Sequence, residues 1–299
     1  MTEAIYLEVK NKVEDKNMKR RVSVSGMLRH LGVSRSGYKA WLIRLPSNQK
    51  KRKLRVQDKI QDIYDESHQN YGAPKITQKL VAAGTDISER TVGKYMKGMG
   101  IKAQYIKPFT VTTKDCDFSS QLTNILDEKF NPDTPNAVWC TDITYIWTFD
   151  GFVYLTSIID LFARKIVAWT LTKTLEVSCV IDTINKAKAA RNINKPLIIH
   201  SDRGGQYVSD EYRKATAKMQ KSYSKKSFPW DNACIESFHS LIKREWLNRF
   251  RIMDYNHAYK LVFEYIETFY NTVRIHSHCD YKSPNQYEKE YIAQSNLGA

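Results

Sequence analysis

A short apolar run at residues 197–199 is followed by an acidic residue, Asp202, and by the paired glycines Gly204 and Gly205. An apolar run of this length that ends at turn-forming residues predicts a buried strand. The strand would carry Asp202 to the rim of a sheet, and the two glycines would allow a tight turn beside it. We therefore expect the fold to contain a sheet with a carboxylate at its rim.

Two further acids occupy comparable positions in predicted elements. Residues 137–146 are rich in β-branched and aromatic side chains and predict a second strand, in which Asp142 interrupts the apolar pattern. A carboxylate in a buried strand is costly unless it is paired or bound to a metal ion. Glu236 lies on residues 232–250, whose apolar side chains recur at helical intervals.

Three carboxylates from separate elements suggest a metal site that acts on a phosphate. Mg²⁺ is a hard cation that prefers oxygen ligands. Two such ions about 4 Å apart can activate the attacking oxygen at a phosphodiester and stabilise the leaving oxygen. Taken singly, each acid also fits a plainer interpretation, in which Asp142 and Asp202 cap a strand and a turn and Glu236 makes a surface ion pair.

The charge of the chain points to a polyanionic partner. The 299 residues include 47 Lys and Arg against 32 Asp and Glu, a net charge of +15. The excess is uneven, because residues 1–60 hold 16 basic and 5 acidic residues, or +11 of the total. Such charge predicts DNA binding that weakens steeply with salt. A solvated surface that binds nothing is the alternative.

The remaining composition argues for a cytoplasmic protein. Five cysteines, an odd number, are scattered without metal-ligand spacing, which argues against disulfides and a zinc site. No apolar run approaches the length of a membrane span, and the N-terminus lacks the form of a signal peptide. We therefore expect no membrane partner.

The first segment, residues 1–55, predicts a basic helix-turn-helix unit. Within residues 22–44, an apolar-periodic helix, a turn at Gly32, an N-cap at Ser34 and a second amphipathic helix follow one another. A plain helical hairpin is the alternative. In a DNA-binding unit the second helix enters the major groove. The residues facing DNA would then be Arg35, Ser36 and Lys39. Residues 46–55 predict a polar, basic linker.

Residues 56–105 predict a second helix-turn-helix unit. Val56, Ile60 and Tyr64 recur at helical spacing, Ser88 provides an N-cap, and Gly100 ends the last helix. Three basic residues on that helix are candidates for phosphate contacts, although a structural role fits them nearly as well. They are Arg90, Lys94 and Lys97.

The rest of the chain predicts an α/β core. We interpret residues 106–133 as a linker that packs against the core, residues 134–250 as the core, and residues 251–299 as a C-terminal helical extension. Three strands joined by short turns predict an antiparallel meander. The alternating helices and strands that follow complete a mixed five-stranded sheet with flanking helices, preceded by small all-α units.

Three motifs carry a specific resemblance. Residues 139–145, 200–207 and 231–238 are WCTDITY, HSDRGGQY and DNACIESF. They resemble the Asp-Asp-Glu core of bacterial insertion-sequence transposases, and within these the second-reading-frame product of the IS-three family. That core is similar to retroviral integrase and has a ribonuclease-H-like fold. The family usually leaves 35 residues between the second Asp and the Glu, and here the interval is 33 (236 − 202 − 1).

The resemblance implies roles for individual residues. Asp142, Asp202 and Glu236 together would be the catalytic metal ligands for two Mg²⁺ ions, with Mn²⁺ as a substitute. Lys243 lies seven residues after Glu236, so both project from one helical face. It would contact DNA, with Arg244 as the alternative. Supporting roles would fall to His200 and Asn232, although a hydrogen-bonded core histidine and a helix cap are the alternatives for these two.

The implied function is that of a DNA transposase. It would cleave insertion-element ends and catalyse strand transfer without a covalent enzyme intermediate. Its partners would be double-stranded DNA, namely the terminal inverted repeats and target DNA, and further copies of itself in a homodimer or higher oligomer. The family also implies a fusion with the product of the upstream reading frame and a location at the bacterial nucleoid.

Two other functions remain open from the sequence. One is a ribonuclease-H-like nuclease that cuts without strand transfer, against which the two helix-turn-helix units argue. The other is a non-catalytic DNA-binding regulatory subunit, against which the intact set of three acids argues.

Overall fold

The computed structural model describes residues 2–14, 23–104, 122–225 and 229–297. The chain divides into two compact units, Met1–Lys59 and Ile60–Ala299. The division into five segments made from the sequence is finer than this and remains a prediction. Among the helices of the described ranges, none combines the length and the apolar character that crossing a bilayer requires.

The first unit contains the expected helix-turn-helix. The Ser34 side chain accepts a hydrogen bond from the Gly37 amide, which caps the second helix of the motif. Gly32 in the turn has a φ of +66°, a conformation that glycine adopts without strain. The helices are α1 Thr2–Glu14, α2 Val24–His30, α3 Arg35–Ile43 and α4 Asn48–Glu66, the last of which extends beyond the unit.

Two features of this unit differ from the sequence-based interpretation. Helix α1 was not expected, and its Tyr6 and Val9 are buried in a cluster with Leu28 and Tyr38 of the motif. The linker prediction for residues 46–55 was wrong from Asn48 onward, because helix α4 begins there. Lys and Arg lose little rotamer freedom in a helix, so a basic run is compatible with a regular, exposed helix.

The second unit begins with the other predicted helical region. It comprises the end of α4, α5 Ala73–Ala82 and α6 Glu89–Met99. Ile60, Ile76, Leu80 and Val92 are fully buried, so the three helices share one apolar core. Ser88 caps α6 through the Thr91 amide, and Gly100 ends it at a φ of +71°. Both helix boundaries predicted from the sequence are confirmed.

This helical region is held against the C-terminal part of the same unit. The Tyr71 hydroxyl accepts a hydrogen bond from the Ile275 amide at 2.9 Å and donates one to the Val273 carbonyl at 3.3 Å. Arg249 donates to the His68 carbonyl and to the Asn70 side chain. The helices α5 and α6 are therefore part of the same compact body as the sheet.

The sheet is mixed and five-stranded, as predicted. Its strands are β1 Val138–Thr148, β2 Gly151–Asp160, β3 Lys165–Thr172, β4 Ile198–Ser201 and β5 Gln220–Tyr223. They lie in the order β3-β2-β1-β4-β5. The first three form the antiparallel meander, and β4 and β5 add to it in parallel. The turn before β2 uses Gly151 at a φ of +112°.

Helices cover both faces of the sheet. Val180 and Ile184 of one helix pack with Trp139 and Ile158 of the sheet. Strand alternation puts Asp142 on the opposite face from Trp139, where it meets another helix. The helices are α7 Val177–Ala190, α8 Gly205–Val208, α9 Asp210–Ala215, α10 Ala233–Glu245, α11 Tyr255–Phe263 with a π-helical continuation Glu264–Tyr270, and α12 Pro284–Leu297.

The segment before the sheet packs on the core as expected. The amides of Ile125 and Leu126 donate to the Ser222 hydroxyl at 2.9 and 3.0 Å, and the Tyr223 amide donates to the Thr123 carbonyl. This confirms the packing predicted for the described end of the linker, and residues 106–121 lie outside the described residues. Helix α10 ends at Glu245, before the predicted position, and a 3₁₀ turn Leu247–Arg249 follows.

Candidate active site

Asp142 projects from β1 towards helix α10. It lies opposite Ser157 of β2, and its carboxylate is largely shielded from solvent. His239 of α10 lies between the two, with Nδ1 3.4 Å from Asp142 Oδ2 and Nε2 3.4 Å from Ser157 Oγ. The sequence analysis missed His239. The available signal was its position three residues after Glu236, which puts both on one side of a helix.

Asp202 follows β4 directly and is held by a local hydrogen bond. Its Oδ1 accepts the Gly204 amide at 2.9 Å. A Cβ atom on Gly204 would lie 3.0 Å from the same oxygen, so glycine permits this close approach. The space around Gly205 is open, and neither glycine has a left-handed φ. The expected need for both glycines is therefore corrected, because only Gly204 is in close contact with the acid.

Glu236 occupies the first turn of α10 and is influenced by both aspartates. Partial removal from water raises the pKa of the Glu236 carboxyl, and the negative charges of Asp142 and Asp202 raise this pKa further. The three acids therefore lie in one electrostatic neighbourhood. Within the described ranges, however, no group of three His, Cys, Asp or Glu side chains is arranged to hold a metal ion.

The chemistry of the donor set fits a hard divalent cation. All three side chains offer carboxylate oxygens, which suit Mg²⁺ or Mn²⁺ and not a soft metal ion. Burial is the largest cause of the raised pKa of Glu236, and the repulsion from Asp142 and Asp202 that adds to it is one that a bound cation would relieve.

Lys243 lies near Asp142 of the candidate site. Its ammonium group is 4.6 Å from the centre of the Tyr145 ring. Burial lowers the pKa of Lys243, and the charge of Asp142 opposes that effect. The positive charge of Arg244 instead contributes to the lowered pKa of Lys75. Of the two basic residues of α10 that were proposed for DNA contact, Lys243 is therefore the one near Asp142.

His200 and Asn232, the two residues proposed for supporting roles, are both buried. His200 Nδ1 is 2.9 Å from Ser222 Oγ and Nε2 is 3.3 Å from Ser224 Oγ. Burial lowers the pKa of His200 to about 4, so the ring is neutral. These contacts match the hydrogen-bonded core histidine. Asn232 occupies the N-cap position of α10 but makes no side-chain cap bond, so the interpretation as a cap was wrong.

Tyr207 is another neighbour that the sequence analysis did not assign. It is buried on α8, and its hydroxyl is 3.3 Å from Thr141 Oγ1. Burial raises the pKa of Tyr207, and the charges of Asp142 and Asp202 raise it further. The phenol therefore lies close to both aspartates as a neutral hydrogen-bonding group.

The residues of α3 and α6 that were proposed for DNA binding are exposed. Arg35, Ser36 and Lys39 are solvent-accessible on α3 of the first unit. On α6 of the second unit, the exposed side is opposite to the buried Val92 and Met96. Its basic residues recur at helical spacing and are Arg90, Lys94 and Lys97. Both sets are accessible to a partner, and their contact with DNA remains a prediction.

Comparison with protein families matches most of the chain. Two models described as "Integrase core domain" match residues 132–224 and 217–284. A model described as "HTH-like domain" matches residues 51–109. The HTH-like match begins within helix α4 and covers α5 and α6, and the integrase matches cover the sheet and helix α10.

Individual relatives are insertion-sequence transposases. The transposase for insertion sequence element IS904 of Lactococcus lactis subsp. lactis (strain IL1403) is 37% identical over 248 residues, 82% of this chain and 98% of the relative. Transposase InsF for insertion sequence IS3A of Escherichia coli (strain K12) is 31% identical over 275 residues, 91% and 96% of the two chains.

A solved structure of the HTLV-2 integrase catalytic core domain in complex with magnesium, in its dimeric form, is 19% identical, with a TM-score of 0.40. It covers 52% of this chain and 98% of that one. The identities and coverage of the two transposases establish the family independently of that structure. This chain belongs to the IS-three family of insertion-sequence transposases and carries an integrase core of the ribonuclease-H-like fold.

Proposed function

We propose that this chain cleaves the ends of its insertion element and transfers the cut strands by phosphoryl transfer. The observation that supports the proposal is the pKa of Glu236, which burial raises and which the charges of Asp142 and Asp202, from two other elements of the integrase core, raise further. Each acid comes from a different part of the sequence, and the charges of the two aspartates act on the glutamate.

The three carboxylates would hold the divalent ions. Bound there as a pair, Mg²⁺ or Mn²⁺ would supply the positive charge that activates the attacking oxygen and neutralises the leaving oxygen of a phosphodiester. His239 would keep Asp142 oriented through the 3.4 Å contact. Lys243, positioned over the Tyr145 ring, would contact a phosphate of the DNA beside the acids.

The helical units would recognise the element ends. The net charge of +15 favours a polyanion, and exposed basic side chains lie on α3 and α6. We infer that Arg35, Ser36 and Lys39 on α3 contact the terminal inverted repeats. We infer the same for Arg90, Lys94 and Lys97 on α6. Target DNA would enter at the core, where Lys243 lies.

The assembly and location follow from this function. Two element ends must be brought together, so the active form would be a homodimer or higher oligomer on DNA. A fusion with the upstream-frame product would add further DNA-binding surface. Because the substrate is bacterial DNA, the protein would act in the cytoplasm at the nucleoid.

A cleavage and joining assay tests the proposal. Labelled element-end DNA is incubated with Mg²⁺ or Mn²⁺ and with the native chain, Asp142→Asn, Asp202→Asn or Glu236→Gln. We expect each variant to lose cleavage and joining while it retains DNA binding. Asp182→Asn, which removes an exposed acid of α7, is the matched control and should behave as the native chain.

The possible outcomes distinguish the alternatives. Unaltered joining by one of the three variants removes that acid from the site. Cleavage without joining by the native chain indicates a nuclease of the ribonuclease-H-like class. DNA binding with neither reaction indicates a regulatory subunit.

A further inference from the structure

The far end of β1 exposes a row of aromatic side chains. Tyr145, Trp147 and Phe149 are 52%, 62% and 63% exposed, and Phe250 from the segment after α10 lies beside them at 43%. Strand β4 pairs with β1 only over residues 138–140. In the described part of the chain, the remainder of β1 therefore has no neighbouring strand on the side of β4. A contiguous exposed apolar patch of this kind marks an interaction site.

These side chains line a groove with a basic rim. The groove has a volume of about 500 Å³, and its charged lining residues are Lys243 and Arg251. Its second wall is the segment after the 3₁₀ turn, held to β1 by a hydrogen bond from the Phe149 amide to the Ile252 carbonyl at 3.0 Å. We call this feature the aromatic groove, and its aromatic members are Tyr145, Trp147, Phe149 and Phe250.

The aromatic groove is continuous with the candidate active site. Tyr145 follows Asp142 by three residues on the same strand, so strand alternation directs their side chains to opposite faces, and the link between the groove and the acid is Lys243. Lys243 connects the groove with the candidate active site. Its ammonium group lies over the Tyr145 ring of the groove, and the charge of Asp142 opposes the lowering of its pKa by burial. DNA whose phosphate contacts Lys243 would therefore lie next to the groove and near Asp142.

The Tyr145 and Trp147 rings both contact a third ring, that of Phe152. The Phe152 ring of β2 makes edge contacts with Tyr145 at 5.5 Å and with Trp147 at 4.8 Å between ring centres. Tyr145 and Trp147 are separated by one residue on a strand, so they project from the same face. Exposed aromatic rings next to basic groups are the arrangement on which successive bases stack in proteins that bind single strands.

We propose that the aromatic groove binds unpaired nucleotides of the DNA end adjacent to the phosphodiester that is cut. Bases inside an intact duplex cannot offer their faces to side chains, so the occupant must be locally unpaired. Lys243 and Arg251 would pair with its phosphates, while the aromatic rings stack with its bases. The inference rests on the proposed function, because it assigns this segment to the DNA that the active site cuts.

A second copy of the chain is the competing occupant, and the charge argues against it. In a two-fold dimer the same surface meets itself, so each basic rim would be brought towards its own copy. Lys243 and Arg251 would then repel their counterparts, whereas a phosphate backbone satisfies both. Charge complementarity therefore favours nucleic acid.

Binding of two DNA probes tests the inference. One probe is a short duplex with an unpaired tail that contains 2-aminopurine, and the other is the same duplex with blunt ends. Measurements omit divalent ions, so that the DNA stays intact. We expect Trp147→Ala to weaken binding of the tailed probe by about tenfold and to leave the blunt probe unchanged. Quenching of the 2-aminopurine by the native protein should be lost as well.

Two variants control for general damage. Phe263→Ala removes an aromatic ring that is 46% exposed on α11 and is not part of the groove, so it should bind both probes as the native chain does. Trp147→Phe keeps a stacking surface and should restore most of the affinity for the tailed probe. Thermal unfolding of each variant verifies that the fold is retained.

The outcomes separate this inference from the proposed function. Unchanged affinity and quenching in Trp147→Ala, in a protein that still cuts and joins DNA, overturn the aromatic groove alone. A dimer of the free protein that Trp147→Ala dissociates in sedimentation, with unchanged probe binding, also overturns it. A native chain that neither cuts nor joins, but binds the tailed probe through Trp147, retains the groove and removes the proposed function.

Discussion

The Glu245 carboxylate accepts two hydrogen bonds from the Arg274 guanidinium, each 2.7 Å long, from Nε and from Nη2. Both side chains are buried, and the Tyr265 hydroxyl donates a third bond to the same carboxylate at 2.8 Å. Burial alone would raise the pKa of Glu245, but the contacts with Arg274 hold this pKa below its ordinary value. The pair anchors the last residue of α10, the helix whose first turn carries Glu236.

Removal of one partner of this ion pair should destabilise the protein. Arg274→Met leaves the Glu245 charge buried without its partner, which costs about 3–5 kcal/mol. We expect that loss in urea-induced unfolding. The double variant with Glu245→Gln should lose less than the sum of the single variants, because the two residues act as one unit.

The exposed pair of Arg213 and Asp210 provides the control for this loss. Their side chains are 60% and 74% exposed, and Arg213→Ala should cost no more than about 1 kcal/mol. Equal losses for Arg274→Met and Arg213→Ala would contradict the structural role assigned to the buried pair.

His239 should control how well Asp142 serves as a metal ligand. His239→Ala removes the side chain that lies 3.4 Å from both Asp142 Oδ2 and Ser157 Oγ. Loss of such an orienting group typically reduces metal affinity or activity 10–100-fold. We expect cleavage to require about tenfold more Mg²⁺, with DNA affinity retained. Ser240→Ala, an exposed change on the next residue, should leave the Mg²⁺ requirement as it is.

The two glycines after Asp202 should respond differently to alanine. Gly204→Ala places a Cβ atom 3.0 Å from Asp202 Oδ1, so the carboxylate must shift by a few tenths of an ångström. We expect cleavage to fall by about tenfold, since catalysis is sensitive to such misplacement. Gly205→Ala enters open space at the start of α8 and should preserve cleavage. A similar loss for both alanines would refute the close contact as the cause.

Local patterns predicted the elements that carry the acids. The strand around Asp142, the strand before Asp202 and the helix of Glu236 each follow from a repeat of apolar residues within one segment. The motif strings then assigned the three acids to one site. Apolar periodicity and helix capping involve residues that are close together in the chain, so both can be recognised in the sequence.

Contacts between segments that are distant in the chain could not be predicted from the sequence. The pairing of Glu245 with Arg274 and the contact of His239 with Asp142 depend on how the helices pack on the sheet. The basic residues after Pro46 suggested a linker, because their charges are solvated both in a linker and on an exposed helix. Their helical propensity favours the helix, and they lie in α4. The aromatic groove became visible only once the end of β4 was known.

A basic residue of α6 should contribute to DNA affinity through phosphate contact. Lys94→Ala removes one exposed cation from the side of α6 opposite to its buried residues. We expect weaker binding of all DNA sequences alike and a decrease of about one in the slope of log affinity against log salt. Titrations over a range of salt concentrations measure both. Lys289→Ala, an exposed change on α12, should keep the native slope, and a parallel decrease there would remove the special role of Lys94.

His276 should make stability fall as the pH is lowered. Burial and the charge of Arg274 lower the pKa of His276 from 6.5 to about 2, and the Arg274 guanidinium lies 3.2 Å from its ring. The unfolded chain therefore binds a proton below about pH 6.5 that the folded chain does not bind. That difference makes unfolding progressively easier as the pH falls from 6.5 towards 2.

Urea-induced unfolding between about pH 7.5 and about pH 5.5 tests this dependence. The pKa shift of His276 alone predicts a loss of about 1.4 kcal/mol over that range, because only the unfolded state is protonated there. His276→Gln should flatten the dependence by about that amount. The carboxylates Glu245 and Glu288 have lowered pKa values and contribute below this range, so they do not obscure the result. An unchanged slope in His276→Gln would show that folding does not lower the pKa of His276.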